Sequence, residues 1–188
     1  MTTIIFDLET NGLPIMKGFD KYYPSYQTEF YDSSRIIEIG YQICDESGNI
    51  IKSYNELVIP DGFRIENSHI HGISYDDAKE NGKPIGDILD DIFCDFMDMS
   101  MLVAHNINFD YNVLLSECHR AGHPLKDILP QKQQFCTCKF GQVYLQQRKW
   151  PKLVELYTNL FGEIITQTHR ALDDVDICKR CYFKMLET

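Results

Sequence analysis

Apolar positions follow two spacings along the chain, and together they predict a mixed α/β domain. Runs rich in β-branched and aromatic residues predict strands, whereas apolar residues three and four apart predict helices. The predicted strands cover 2–9, 35–45, 50–60 and 101–106. The predicted helices lie within 75–98, 109–122, 153–160 and 171–186. Three meandering strands followed by helix, strand and helices favour a mixed sheet flanked by helices.

Composition narrows the class of protein. A chain of 188 residues with 44% hydrophobic content fits one compact domain. A formal net charge of −10 argues against a long basic stripe for nucleic acid, but it leaves room for a cation site or a locally basic cleft. No run of about 18 apolar residues predicts a membrane span.

The ends of the chain and its thiols predict the compartment. The N-terminus lacks the basic start and apolar stretch of a signal peptide, and no long tail follows the last predicted helix. Seven scattered cysteines in such a chain favour reduced thiols. We therefore expect a free-standing cytoplasmic enzyme with no membrane attachment.

Two carboxylates stand at the end of the first predicted strand. Asp7 and Glu9 are two residues apart, and such residues on a strand point to the same face. They are either solvated acids at a strand end or half of a metal site, because hard cations take several oxygen ligands from different elements.

Three further polar residues follow later elements. Asp110 opens a predicted helix directly after the strand 101–106, where an Asp often serves only as a helix cap. His169 precedes the last helix, and Asp174 lies in its first turn. Taken alone, each of these positions is compatible with a structural role as well as with a site.

Taken together, these motifs resemble the DEDDh family of 3′–5′ exonucleases. The matching stretches are FDLETNG, RIIEIG, IHGIS, VAHNINFD and HRALDD, in family order across nearly the whole chain. The family is DnaQ-like and includes the proofreading epsilon subunit of bacterial replicative DNA polymerase. The resemblance implies an α/β, ribonuclease H-like fold, with a central mixed five-stranded sheet flanked by helices in a single domain, 1–188.

The resemblance also implies a metal site. Its ligands would be Asp7, Glu9, Asp110 and Asp174, and the His-x4-Asp spacing selects Asp174 over Asp173 and Asp176. The site would hold two Mg²⁺ ions, with Mn²⁺ as a substitute. His169 would be the general base that takes the proton of the attacking water.

Family positions for the terminal nucleotide carry over to a second set of residues. They are Thr10, Asn11, Ile70, His71 and Phe109. Relatives often have Thr-Gly where this chain has Asn11-Gly12, so the Asn11 contact departs from the pattern. Phe109 would stack on a base or sugar, unless it packs in the core, and a structural turn is the alternative for His71.

Other histidine and cysteine positions favour structural roles. We interpret His105 as a structural residue. The pairs Cys136-x-Cys138 and Cys178-x-x-Cys181 could together bind zinc. Their helical spacing and the absence of flanking glycine turns favour ordinary packing thiols.

An aromatic-rich insertion at about 13–34 departs from the family. Its tyrosines Tyr22, Tyr23 and Tyr26, with Lys17 and Lys21, could clamp a strand through stacking and phosphate contacts. The alternative is a loop that packs on the domain surface.

The sequence leaves three functions open. The first is a metal-dependent 3′–5′ exonuclease that releases nucleoside 5′-monophosphates from the 3′ end of single-stranded DNA, with a polymerase or another replication or repair protein as a partner. The second is an exoribonuclease that acts on RNA 3′ ends or on short oligoribonucleotides, because the motifs do not decide the sugar. The third is a non-catalytic module that binds nucleic-acid ends or a polymerase.

Overall fold

A five-stranded sheet forms the centre of the chain. The computed structural model describes residues 2–187. The strands are β1 (Thr3–Thr10), β2 (Met16–Gly18), β3 (Lys21–Tyr22), β4 (Ile36–Cys44), β5 (Ile50–Leu57), β6 (Met101–Ala104) and β7 (Gln133–Cys136). The helices are α1 (Ser68–His71), α2 (Tyr75–Asn81), α3 (Ile85–Asp98), α4 (Ile107–Arg120), α5 (Leu125–Ile128), α6 (Thr137–Tyr144), α7 (Leu153–Phe161) and α8 (Ala171–Leu186).

The central sheet is mixed, as predicted. Its strand order is β5-β4-β1-β6-β7. The meander from β1 through β4 to β5 is antiparallel, and β6 and β7 continue the sheet parallel to β1. β1 is thus the central strand, and its carboxyl end lies at the same edge of the sheet as those of β6 and β7.

Several predicted boundaries differ from the structure. The segment 75–98 forms two helices, because Gly82 and Pro84 separate α2 from α3 and the N–H of Lys83 donates to the carbonyl of Leu57 at 2.9 Å. The strand expected over 50–60 ends at Leu57, and the one expected over 101–106 ends at Ala104. β7, a short polar strand, was not predicted.

The two faces of β1 pack against different helices. Ile4, Phe6 and Leu8 belong to a core that includes side chains of α3 and α4. On the opposite face, Ile5 packs with α8 residues, among them Val175. Asp7 and Glu9 share the face of Ile5 because side chains alternate along a strand, so they lie on the side covered by α8.

Gly40 lets the start of α8 approach this face closely. It lies on β4 directly opposite Asp7. A Cβ atom added at Gly40 would stand 2.7 Å from the backbone nitrogen of Leu172 and 2.8 Å from the carbonyl carbon of Ala171. The missing side chain therefore brings the first turn of α8 against the strand pair that carries the acids.

The insertion folds onto the domain. It contains the β2–β3 hairpin and a 3₁₀ helix at Thr28–Ser34. Tyr31 is buried, and its hydroxyl donates to the carbonyl of Tyr23 at 2.5 Å. The rings of Tyr23 and Phe30 stack with centroids 3.7 Å apart, while Lys17 lies over the Tyr23 ring. Tyr23 is therefore a packing residue.

The cysteines and the helices bear on the thiol chemistry and on a membrane span. All seven cysteines are free. In the part of the chain that the structure describes, no cysteine belongs to a cluster of three or more possible metal ligands, so the zinc alternative has no support. Among residues 2–187, no helix has both the length and the apolar character needed to cross a bilayer.

We expect Gly40→Ala to lower the free energy of unfolding by about 1–3 kcal/mol, because the new methyl group forces α8 away from the sheet. Gly86→Ala is the matched control, since a Cβ at this α3 position meets no heavy atom within 4 Å. That control should leave stability unchanged or raise it by up to about 1 kcal/mol. Urea denaturation measures both variants, and a wild-type midpoint for Gly40→Ala would refute the close-approach role.

Candidate metal and nuclease site

The end of β1 has one free edge, and Asp110 occupies it. β6 pairs with β1 only over residues 3–5, so the later backbone groups of β1 on that side have no strand partner. The N–H of Leu8 instead donates to Oδ1 of Asp110 at 3.2 Å. Asp110 is buried in the first turn of α4, and this bond holds its carboxylate beside the Asp7–Glu9 pair.

Asp174 reaches the same place from α8. Its side chain is buried, and Oδ2 accepts a hydrogen bond from Nε2 of Gln167 at 2.6 Å. Among the described residues, Oδ1 has no hydrogen-bond partner. Ligand atoms of Glu9, His169 and Asp174 all lie within 4.8 Å of one another.

The neighbouring acids of α8 are engaged elsewhere. Asp173 accepts a hydrogen bond from the Thr168 hydroxyl at 2.7 Å, and Asp176 pairs with Lys179 at 2.6 Å. Of the three acids in this stretch, Asp174 is the one whose ligand atom lies within 4.8 Å of those of Glu9 and His169.

Burial and mutual repulsion raise the proton affinity of the cluster. Burial raises the pKa of Asp7 well above its usual range, and the negative charges of Asp110, Asp174 and Glu9 raise it further. Burial and then Asp174 raise the pKa of Glu9 to about 8. Burial also raises the pKa of Asp110, against the hydrogen bond from Leu8. Cations bound at this point would relieve the repulsion.

Glu38 is an organising residue that the sequence interpretation missed. It is fully buried on β4 opposite Glu9. Its carboxylate receives hydrogen bonds from Arg170 at 2.6–3.1 Å, from the N–H of Ala171 at 2.9 Å and from Asn55 at 2.9 Å. Burial alone would raise the pKa of Glu38, but these donors hold it below the ordinary value.

The Glu38 contacts connect β4 to the loop that carries His169. Arg170 is the residue before α8, and Ala171 is the first residue of that helix, so an anion here also favours the helix N-terminus. The available signal was a single charge, that of Glu38, within the otherwise uncharged run IIEIGYQIC. An acid buried in a central strand needs a partner, but the sequence alone does not say that the partner is Arg170.

His169 faces an open cleft. It is exposed and has a left-handed backbone with φ 54°, a conformation that is uncommon for a residue with a side chain. The cleft measures about 700 Å³, and its lining includes His169, Gln167, His105 and Lys152. The imidazole thus lies beside the carboxylates with access to solvent.

His105 has the structural contacts predicted for it. Its Nδ1 lies 3.0 Å from the Thr137 hydroxyl, and its Nε2 lies 3.0 Å from the carbonyl oxygen of Pro151. Burial lowers the pKa of His105 to about 4. The ring therefore stays neutral and joins β6 to the loop before α7.

The residues predicted to bind a nucleotide surround the end of β1. The Thr10 hydroxyl donates to the carbonyl of Gly12 at 2.8 Å. Oδ1 of Asn11 accepts from the N–H of Glu66 at 3.1 Å, and its carbonyl accepts from Asn67 at 2.8 Å. These bonds hold the segment that leads into α1 against β1, but they also occupy the Asn11 oxygen.

The remaining predicted contacts differ in exposure. Ile70 on α1 is 49% exposed, whereas the next residue, His71, is buried. Nδ1 of His71 accepts from the N–H of Ile73 at 3.1 Å, the contact expected of a structural turn. Phe109 is partly buried and packs against the core beside Asp110, which fits its core alternative.

The donor set fits divalent cations. Asp7, Glu9, Asp110 and Asp174 supply carboxylate oxygens from three different elements, as Mg²⁺ and Mn²⁺ prefer. The raised pKa values and the unpartnered Oδ1 of Asp174 are features that a bound cation would satisfy.

The fold and the acids at its central strand define a ribonuclease H-like exonuclease domain. The profile of the Exonuclease family, RNase_T, matches residues 4–182, and the chain belongs to this DnaQ-type family.

Two curated relatives show how far the similarity extends. DNA polymerase III subunit epsilon of Treponema pallidum (strain Nichols) is 30% identical over 185 residues, which cover 96% of this chain and 74% of the relative. The 3′-5′ exonuclease DinG of Bacillus subtilis (strain 168) is 25% identical over 185 residues, 98% of this chain but 17% of the relative. The chain thus spans most of one relative and a small part of the other.

Solved structures support the fold. One described as Exonuclease X in complex with 5′ overhanging duplex DNA aligns with TM-score 0.67 and 22% identity over 98% of this chain and 91% of that one. Exonuclease I of E. coli in complex with a dA16 oligonucleotide aligns with TM-score 0.76 and 17% identity, over 99% of this chain and 40% of that one. At these identities the likeness concerns architecture.

We expect the metal-free protein to lose stability relative to Glu9→Gln as pH rises from about 5 to 8. The folded pKa of Glu9 is about 8, against an ordinary value of 4.5. In this window the folded state holds a proton that the unfolded state has released, so raising the pH favours unfolding. The Gln variant has no such proton.

Thermal melts of both proteins in chelator, followed by melts in Mn²⁺, measure the effect. Mn²⁺ should raise the melting temperature of the wild type at pH 8 far more than that of the variant. Parallel pH profiles with equal metal shifts would show that the acids are not one site.

Proposed function

We propose that this protein is a metal-dependent 3′–5′ exonuclease that hydrolyses the terminal phosphodiester of single-stranded DNA and releases nucleoside 5′-monophosphates. The observation that carries the proposal is the convergence of four carboxylates with His169 at one edge of the sheet, in a chain of the Exonuclease family. Intact acids and histidine also argue against a non-catalytic binding module.

A phosphodiester is anionic, so the acids alone would repel it. Two Mg²⁺ ions held by Asp7, Glu9, Asp110 and Asp174 supply the charge neutralisation and water activation that this hydrolysis needs, with Mn²⁺ as a substitute. The rest of the protein contributes by holding these side chains in position. The Leu8 bond sets Asp110, while the Glu38–Arg170 pair and Gln167 set the His169–Asp174 end.

His169 has the role of general base in this proposal. Its exposure to the cleft and its place among Glu9 and Asp174 allow a neutral ring nitrogen to take a proton from the attacking water. The left-handed backbone at His169, held by the anchored Arg170 beside it, orients the ring. The deprotonated water forms a bond to the phosphorus, the bond between the phosphorus and the 3′ oxygen of the penultimate nucleotide breaks, and that oxygen takes a proton from solvent.

The terminal nucleotide is proposed to lie against Thr10, Asn11, Ile70, His71 and Phe109. Exposed Ile70 and partly buried Phe109 would contact the base and the sugar. Asn11 would contribute through its NH₂ group, because its oxygen already accepts from Glu66. Buried His71 would act by holding the turn after α1.

DNA is the proposed polymer because solved structures of this fold are described with DNA, as Exonuclease X and Exonuclease I are. A DNA polymerase is the proposed partner, since one relative is named as a polymerase III subunit. A cytoplasmic location belongs to the same proposal. An RNA 3′ end is the competing substrate, and the assay below includes it.

We expect Asp7→Asn to abolish nucleotide release, because it removes a carboxylate that faces all the other acids. The control is Asp176→Asn, which makes the same change of charge on α8 at a residue paired with Lys179 and should retain activity. Shortening of 5′-labelled single-stranded DNA and RNA in Mg²⁺ measures both. Chelator-resistant release by the pure protein would contradict metal dependence, and faster RNA shortening would reverse the choice of polymer.

Removal of the base should cost less than removal of a ligand. We expect His169→Gln to slow release by about 10²–10⁴-fold while the metal-induced rise in melting temperature persists. Wild-type rates for His169→Gln at neutral pH would move the base to another group.

A further inference from the structure

The loop 146–152 is locally basic in an acidic chain. Its sequence is QQRKWPK, and it holds the only tryptophan of a protein with net charge −10. Arg148, Lys149 and Lys152 are exposed, and Trp150 is partly exposed. A local group of cations around an aromatic ring is the composition typical of a surface that binds single-stranded nucleic acid.

A second aromatic side chain meets Trp150 from the insertion. Phe19 stands in the turn between β2 and β3, and its side chain is 80% exposed. The next residue, Asp20, has φ 53°, a left-handed conformation that Asp tolerates better than most residues. The rings of Phe19 and Trp150 lie 5.0 Å apart, tilted by 43°.

Polar contacts hold this aromatic pair in place. Oδ2 of Asp20 accepts from Nδ2 of Asn108 at 2.8 Å and from Nζ of Lys139 at 2.7 Å. The Lys139 ammonium also lies 5.0 Å from the centre of the Trp150 ring. The Asp20 carboxylate thus connects the insertion to α6 through Lys139. It also connects the insertion to the first turn of α4 through Asn108.

The same contacts place the pair beside the carboxylates. Asn108 is two residues before Asp110. On the other side of Trp150, the carbonyl of Pro151 contacts His105, and Lys152 lines the cleft with His169. The aromatic pair is therefore attached to the helix that carries Asp110, and Trp150 stands two residues before a residue that lines the cleft.

We propose that Phe19 and Trp150 stack on nucleobases of the strand that leads away from the terminal nucleotide, while Lys139 and the basic loop pair with its phosphates. This inference rests on the proposed function and adds a substrate contact to it. Exposed Phe19 and partly exposed Trp150 offer ring surface to the solvent, and the surrounding positive charge complements a polyanion. It also gives the insertion a role in which Phe19, rather than the tyrosines, contacts the strand.

Tryptophan fluorescence tests the site directly, because Trp150 is the only tryptophan. The probe is an oligothymidylate of about 12 nucleotides with phosphorothioate linkages, which resist hydrolysis, in Mg²⁺. We expect saturable quenching by the oligonucleotide and little quenching by thymidine 5′-monophosphate. An unchanged emission spectrum at saturating oligonucleotide, with binding shown by anisotropy, would overturn the proposal.

Variants separate stacking from folding. Phe19→Ala, at an exposed turn, should weaken oligonucleotide affinity by about 10-fold, a typical effect of losing one stacking ring. Tyr26→Ala is the matched control, because this tyrosine is 68% exposed in the same insertion but lies beside His119. Trp150→Phe should bind nearly as the wild type does, whereas Trp150→Ala should not. Equal affinities for Phe19→Ala and Tyr26→Ala would refute the stacking role.

Failure here can be told apart from failure of the proposed function. The fluorescence and affinity measurements require binding but no hydrolysis. If DNA is shortened normally by Phe19→Ala and Trp150→Ala at low substrate concentration, the stacking site is wrong and the exonuclease proposal stands. If the wild type quenches as expected but releases no nucleotide, the stacking site stands and the exonuclease proposal falls.

Discussion

The fold must hold four carboxylates together at one edge of a buried sheet, and their mutual repulsion is the constraint that governs the site. Burial and repulsion raise the pKa values of Asp7 and Glu9, so the cluster opposes folding at neutral pH until cations bind. Contacts of one further acid counter this repulsion locally. Glu38, opposite Glu9, is neutralised by Arg170 and by the first N–H of α8. This pair, in which Glu38 is buried and Arg170 is partly exposed, attaches α8, and with it Asp174, to the strands that carry the acids.

Backbone features of β1, β4 and β6 position the acids of the cluster. β6 pairs with only the first part of β1, so a backbone N–H of β1 is left to orient Asp110. Gly40 has no side chain, so the first turn of α8 can approach β4 closely. The carboxylates of the cluster thus come from a strand and two helix starts whose relative positions are set by backbone contacts. Such positions vary less than those of loops, which suits a site where ligand spacing decides chemistry.

The parts that could be predicted from sequence are those with local signals. The alternation in β1 revealed its acid pair, and the stripe of α8 gave both ends of that helix. Gly82 and Pro84 did signal the break between α2 and α3, but the apolar stripe concealed it. The partnership of Glu38 with Arg170 and the contact of Phe19 with Trp150 join residues more than a hundred positions apart. No sequence periodicity encodes such pairs, because they depend on the strand order of the sheet and on the paths of the loops.

The central claim is that acids from β1, α4 and α8 form a single cation site. Electron paramagnetic resonance of bound Mn²⁺ tests it most directly, because two ions in one site are magnetically coupled. The account predicts two Mn²⁺ per chain with a coupled spectrum, lost in both Asp110→Asn and Asp174→Asn and kept in Asp176→Asn. Uncoupled Mn²⁺, or a spectrum unchanged by Asp110→Asn and Asp174→Asn, would contradict it.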